Sequence, residues 1–213
     1  MHNVGGRKMS MNKIKKNGME IQFDEKTLAF SFKKEGQAVW TWEADYAPYM
    51  ECGNEKLYFR DALEISHEPF RSGVGEGILS TYSGFKKEGK IVPYKFQTIV
   101  WVEGATGDVY CEWIPIQEED LDVKKVFWPA PMEFGEKRYT LLTHQQGMLI
   151  PNTWEVELDP PSFEGLFGTA GAYMPWFAQV RGKEGYLAVC VTPWNAGYQA
   201  EHPAGGPYTR VSM

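Results

Sequence analysis

Hydrophobic and polar residues alternate along most of the chain, which is the period of a β-strand with one buried face. Leu28, Phe30 and Phe32 share one side of an early segment. Trp40 and Trp42 share a side of the next segment. No long stretch repeats apolar positions at helical spacing without a Gly or Pro interrupting it. The pattern therefore predicts an all-β protein.

Two hairpins stand out, each with alternating segments on both sides of a glycine-containing loop. They are predicted at 94–102 with 108–114 and at 176–180 with 186–191. Further strands are predicted at 19–23, 27–32, 38–42, 62–67, 78–85, 125–128, 139–143 and 148–150, and the last residues, 208–213, have the pattern of another strand. Many short strands with regular turn signals are typical of a sandwich or a barrel, and the sequence favours an antiparallel β-sandwich.

No stretch of the chain resembles a domain linker. The widest irregular segment, 151–174, contains large apolar residues, which predicts a loop packed on the body of the protein. We expect residues 1–18, with their lysine cluster, to be a disordered basic tail and residues 19–213 to form a single β-sandwich domain. Because the chain ends inside a strand pattern, the sandwich is expected to be incomplete at its C-terminus.

Composition narrows the function classes. Lys and Arg number 22 and Asp and Glu 28, a net charge of −6, which argues against a nucleic-acid binder. The sequence has neither a secretory signal nor an apolar run long enough for a transmembrane helix, so we expect no membrane partner and, by default, a cytoplasmic protein. The three cysteines lie far apart, which predicts free thiols.

Common catalytic and cofactor motifs are absent from the sequence, and we expect no cofactor. The glycine-rich segment 73–77 is followed by a strand pattern, which favours a tight turn or a close backbone approach over a phosphate loop. The four histidines do not have the spacing of metal ligands, so no metal site is predicted. The acidic segment 118–122 is interpreted as a solvated turn rather than a calcium loop.

The C-terminal half combines ring side chains with Asn, Gln, Glu and His in turn-rich stretches. A pyranose ring packs its apolar face on an aromatic ring and needs donors and acceptors for its hydroxyls. The sequence therefore predicts a sugar-binding surface built from His144, Gln146, Trp154, Glu155, Trp176, Trp194, Asn195, Tyr198 and His202. The alternative is that these aromatic residues pack in the core, although the polar, glycine-rich loop 192–208 favours a surface or cleft position.

Several motifs in this half resemble a known group of enzymes. They are QGMLIP (146–151), MPWFAQV (174–180), GYLAV (185–189), TPWNAGY (192–198) and HPAGGPY (202–208). They look like the amino-terminal β-sandwich region of bacterial glycoside hydrolases of the endo-α-N-acetylgalactosaminidase-like group. The resemblance covers 125–213 well, and the earlier half only by its strand pattern.

This resemblance implies a galactose mutarotase-like supersandwich that precedes a (β/α)8 barrel. The catalytic acid and nucleophile of such enzymes lie on the barrel, which this chain lacks. The resemblance therefore implies no catalytic residue here, a missing catalytic barrel as partner, and carbohydrate as a possible ligand.

Three functions follow from these observations. The preferred hypothesis is a non-catalytic β-sandwich module of a glycoside hydrolase, which supports the barrel and contributes to sugar binding. A second is a stand-alone mutarotase-like enzyme or small glycosidase, using Glu155 with His144 or Glu201 with His202 as its acid and base. A third is a protein-interaction module without a sugar ligand. The sequence leaves the oligomeric state open.

Overall fold

The structure, a computed structural model, describes residues 13–43, 45–117, 122–133, 138–154, 162–202 and 210–213. These residues form strands and turns, with one short 3-10 turn at Phe59–Asp61. The strands are β1 (Lys13–Lys16), β2 (Met19–Asp24), β3 (Ala29–Lys34), β4 (Trp40–Thr41), β5 (Tyr49–Cys52), β6 (Glu55–Tyr58), β7 (Glu64–Arg71), β8 (Gly75–Lys87), β9 (Lys90–Glu103), β10 (Val109–Gln117), β11 (Val123–Phe127), β12 (Arg138–Leu142), β13 (Met148–Pro151), β14 (Ser162–Leu166), β15 (Trp176–Arg181), β16 (Glu184–Val189), β17 (Gly197–Glu201) and β18 (Arg210–Ser212).

The all-β prediction is confirmed, and each predicted segment overlaps a strand. The sequence missed β1, β5, β6, β14 and β17. Strands β14 and β17 lie in the segments 151–174 and 192–208, which were predicted as loops. Both contain a glycine and span five residues, so their alternation is too short to distinguish from a turn.

The predicted β-sandwich, including the galactose mutarotase-like supersandwich, is wrong. The strands form five small antiparallel sheets rather than two stacked sheets. Their strand orders are β1-β2-β3-β4, β10-β9-β8-β7, β11-β5-β6, β13-β12-β15-β16 and β14-β17-β18. Alternation reveals that a strand has one buried face, but it does not specify which strands share a sheet, so the error lies in the grouping.

Part of the segment predicted as a basic tail forms a strand. Residues 13–16 form β1, which pairs with β2 through a turn at Asn17 and Gly18. Both turn residues have positive φ, 45° and 72°, as a type I′ hairpin requires. Residues 1–12 lie outside the described part of the chain.

Contacts divide the chain into two compact units. One comprises Met1–Val39 and Phe59–Asp122, and the other comprises Trp40–Tyr58 and Val123–Met213. The chain passes between the units at 39–40, 58–59 and 122–123 and has no linker signal at these points. The prediction of one domain over 19–213 stays a prediction.

The first unit has an aromatic core under the long hairpin β8–β9. The ring of Phe59 lies 5.4 Å from that of Tyr82 and 4.6 Å from that of Phe96, measured between centroids. At the start of β8, a Cβ on Gly75 or Gly77 would collide with Trp101 of β9. The glycine-rich segment thus permits a close approach of backbone and indole, which is one of the two alternatives that the sequence predicted.

The second unit carries the residues predicted to bind sugar. Its core gathers buried residues of two sheets and their loops: Leu142, Ile150, Phe167, Ala172, Phe177, Tyr198, Ala200 and Val211. Burial of these side chains fixes the positions of the loops that leave the ends of β12, β14 and β16. The candidate site lies on these loops.

Cys52, Cys111 and Cys190 form no disulfide, as predicted. In the described ranges, none of the helical structure has the length and hydrophobicity needed to span a bilayer.

Candidate functional site

Three loops of the second unit meet around Gly171. They are the turn 143–147, the segment 167–175 between β14 and β15, and the turn 191–196. Three backbone hydrogen bonds join them: Gln145 N to Ala170 O (3.0 Å), Tyr173 N to Thr143 O (3.1 Å) and Phe167 N to Ala196 O (3.0 Å). The loops therefore form one connected surface rather than three independent segments.

The carbonyl oxygen of Gly171 is the point where two predicted site residues converge. It accepts hydrogen bonds from His144 Nδ1 at 2.9 Å and from the Tyr198 hydroxyl at 3.0 Å. A carbonyl oxygen only accepts, so Nδ1 of His144 carries a hydrogen. Burial raises the pKa of Tyr198 to about 12, which keeps its hydroxyl protonated as a donor.

Three glycines permit this convergence. A Cβ on Gly165 would lie 2.5 Å from Gly171 O and 2.9 Å from Tyr198 Cζ. A Cβ on Gly171 would lie 3.0 Å from the Cα of Gly165, and one on Gly197 would collide with the Gly165 carbonyl. We call Gly165, Gly171 and Gly197 the glycine cluster. Strand β14, strand β17 and the 167–175 loop approach each other there more closely than any side chain would allow.

A second histidine holds another loop. The His202 side chain is fully buried, and its Nε2 lies 2.9 Å from the carbonyl oxygen of Trp154, to which it donates. The Trp154 indole itself is partly exposed. Glu155, the next residue in the predicted site, lies outside the described residues.

The remaining predicted residues lie at the surface. Trp194 is the most exposed large hydrophobic side chain, at 89% exposure, and Asn195 beside it has a left-handed φ of 62°. Gln146 is exposed in the 143–147 turn, and Trp176 is half-buried at the start of β15.

The structure thus divides the predicted site into two classes. Tyr198 and His202 are buried, contrary to the surface position that the sequence favoured for the 192–208 loop, and they bind backbone carbonyls. Trp154, Trp194, Asn195 and Gln146 are exposed. In this conformation the buried side chains of Tyr198 and His202 are closed to direct contact with a sugar. Sugar binding by the predicted set stays a prediction.

Sequence reasoning missed an ion cluster in the same unit. The Arg210 guanidinium binds Glu43 through Nε (2.7 Å) and Nη2, and it binds Glu201 through Nη1 at 3.2 Å. Glu43 is 167 residues from Arg210 in sequence, so no local pattern could have linked them. Tyr46 lies beside this cluster, and burial raises its pKa. The cluster fixes the end of the chain to the segment before β5.

In the described part of the chain, no group of three or more His, Cys, Asp and Glu side chains converges as metal ligands would. The acidic segment named above falls outside that part at 118–121.

The chain resembles solved structures of the α-N-acetylgalactosaminidase NagBb from Bifidobacterium bifidum. The complex with Gal-NHAc-DNJ matches with a TM-score of 0.87 and 42% identity, and the GalNAc complex with a TM-score of 0.86 and 44% identity. The ligand-free structure matches with a TM-score of 0.83 and 43% identity. Each match covers 94% of this chain but 32% of that enzyme.

The chain is related to part of a glycoside hydrolase. It spans about a third of the length of the enzyme that it matches. No protein-family model and no curated protein matches it. The predicted relation to glycoside hydrolases is confirmed at this level.

Proposed function

We propose that this glycoside-hydrolase-related domain is a non-catalytic module. In this proposal it supports the catalytic domain of an enzyme that acts on α-linked N-acetylgalactosamine. The observation that carries the proposal is the unequal coverage of the match. At 42–44% identity the match includes nearly all of this chain and leaves two-thirds of the relative unmatched. In this proposal the catalytic groups lie in that unmatched part.

The acid–base pairs considered for a stand-alone enzyme also favour a supporting role. Glu201 binds Arg210, and His202 is fully buried on the Trp154 carbonyl. An acid and a base must both reach the substrate, and these two side chains are engaged with different partners. The other pair includes Glu155, which the structure does not describe. The geometry therefore favours a supporting role over independent catalysis.

The proposal is tested by assaying the 213-residue chain alone. We expect no release of p-nitrophenol from p-nitrophenyl α-N-acetylgalactosaminide, measured by absorbance, above the rate in buffer. Polarimetry on fresh galactose tests the mutarotase alternative in the same sample. Activity that co-purifies with the chain and disappears in the Glu201→Gln variant would refute the supporting role.

We further propose that Trp194 forms part of a wall for the sugar. Its indole is almost fully exposed in a loop with Asn195, an arrangement that offers an apolar face beside a polar amide. Two of the matched structures are named as complexes with GalNAc or Gal-NHAc-DNJ, which makes N-acetylgalactosamine the first ligand to test.

Calorimetric titration of the chain with N-acetylgalactosamine is expected to show weak binding that Trp194→Ala removes. Tyr139→Ala, which removes an exposed ring from a sheet face, is the matched control and should retain binding. Equal affinity of the Trp194 variant and the unmodified chain would exclude this wall and leave the supporting role intact.

A further inference from the structure

One face of the sheet β13-β12-β15-β16 is apolar throughout. Residues paired directly across antiparallel strands point to the same side, so the register identifies the members of each face. One row joins Leu149, Leu141, Ala178 and Leu187, a second joins Pro151, Tyr139, Val180 and Gly185, and a third joins Trp176 to Val189. We call these ten residues the outer apolar face. Apart from the Tyr139 hydroxyl and the Trp176 indole N–H, their side chains carry no polar group.

This face is accessible. None of its ten residues is buried, and the four largest exposed members, Tyr139, Leu149, Leu187 and Val189, are between 44% and 60% exposed. The opposite side of the same strands holds the buried residues Thr140, Leu142, Ile150, Phe177 and Gln179. The sheet therefore turns one side to the core of its unit and leaves the other uncovered.

An antiparallel sheet with one solvated face normally carries polar residues on that face. The hairpin β2–β3 follows this rule, because Gln22 pairs with Ser31 and Glu20 with Lys33 on its outer side. The outer apolar face departs from the rule at every position. A continuous exposed apolar surface of this kind is typical of an interaction site.

The chemistry of the face indicates a protein surface as its occupant. A sugar needs several paired donors and acceptors, and the face offers only the Tyr139 hydroxyl and the Trp176 indole N–H. The face also carries no charge, so a charged partner would lose hydration without gaining an ion pair. An apolar surface that stays in contact, as between domains of one enzyme, fits these conditions.

We infer that the outer apolar face is the docking surface for the catalytic domain of the parent glycoside hydrolase. This inference rests on the proposed function, since it names the surface through which the module supports that domain. The occupant is inferred from the length of the relative, because about two-thirds of that polypeptide lies outside the matched region. An apolar patch of the catalytic domain covers the face in the assembled enzyme.

The test uses a chimera in which this chain replaces the matched third of the Bifidobacterium bifidum enzyme. Two triple variants are compared in it. The outer-face variant is Leu149→Thr, Leu187→Thr, Val189→Thr. The control variant is Leu63→Thr, Val74→Thr, Ile91→Thr, at first-unit positions with 48% to 65% exposure. Both variants exchange three exposed aliphatic residues for threonine, which retains β propensity.

Differential scanning calorimetry is expected to show one unfolding transition for the chimera and for the control variant. The outer-face variant is expected to show two transitions. A single transition in the outer-face variant, identical to that of the chimera, would refute the docking face and leave the proposed function standing. Two transitions already in the unmodified chimera would refute the proposed function itself.

The same triple variants in the isolated 213-residue chain give a second measurement. Both should unfold within about 5 °C of the unmodified chain, because each substitution is at an exposed position. Loss of folding in the outer-face variant alone would assign the face to the chain's own core and refute the inference. Sedimentation velocity would detect dimers of the unmodified chain. If only the outer-face variant abolished them, the occupant of the face would be a second copy of this chain, and this result would also refute the inference.

Discussion

Replacement of Gly165 by Ala is expected to disrupt the contact between β14 and the 167–175 loop. The new Cβ would lie 2.5 Å from the Gly171 carbonyl oxygen, whereas real Cβ contacts essentially never fall below 3.0 Å. The two segments must therefore separate by at least 3.0 − 2.5 = 0.5 Å. The carbonyl that would move is the one that His144 and Tyr198 bind.

The magnitude follows from overpacking in a well-packed interior. Forced shifts of this kind cost about 1–3 kcal/mol, and a collision with backbone belongs to the upper part of that range. Weakening of the two hydrogen bonds to Gly171 adds about 1 kcal/mol. We therefore expect Gly165→Ala to lower the free energy of unfolding by about 2–4 kcal/mol, a fall in Tm of roughly 4–16 °C for a chain of this size.

The assay is urea unfolding followed by tryptophan fluorescence, with near-UV circular dichroism to report the packing of aromatic rings. Gly73→Ala is the matched control, because its Cβ would meet no atom within 4 Å and Gly73 has no positive φ. The control makes the same chemical change in the unfolded chain and should alter stability by less than about 1 kcal/mol. Equal stabilities of the two variants would refute the close approach at the glycine cluster.

Two other predictions concern charge. Burial raises the pKa of Tyr82 and of Tyr198 to about 12. Between pH 10 and pH 12 the unfolded chain therefore loses protons that the folded chain keeps. The free energy of unfolding falls as pH rises through this range. Urea midpoints at pH 9 and pH 11.5 measure this loss, which Tyr82→Phe should reduce, and a flat profile would contradict it. Glu43→Gln is expected to lower the free energy of unfolding by about 1–3 kcal/mol through its contact with Arg210, and unchanged urea unfolding would contradict this.

The strands were predictable where alternation extends over long segments. Buried residues alternate with more exposed ones over much of the hairpin β8–β9, and the sequence located both of its strands. Strand β17 escaped detection because it is short and begins at a glycine that the close packing with Gly165 requires. The grouping into five sheets depends on long-range pairing, for which alternation contains no information.

Sugar binding by the predicted set stays a prediction, and the sequence could not supply its geometry. Of the predicted residues, His144, Gln146, Trp194 and Asn195 lie on the loops of the second unit, and the Trp194 indole is exposed. Tyr198 and His202 instead bind backbone carbonyls from buried positions. In the sequence, a tyrosine or histidine that hydrogen-bonds a buried backbone carbonyl looks the same as one that binds a ligand. Only the structure distinguishes the two roles.

Strand β17 and the residue that follows it hold two loops in place. Tyr198 in β17 binds the Gly171 carbonyl of one loop, and His202 binds the Trp154 carbonyl of the other. Both acceptors are main-chain atoms, so we expect amino-acid substitutions in these loops outside the glycine cluster to leave the anchoring intact, and insertions and deletions to displace it. Surface chemistry around the loops can consequently diversify by point mutation while loop length is conserved. Grafting either loop onto another scaffold would require transferring β17 with it.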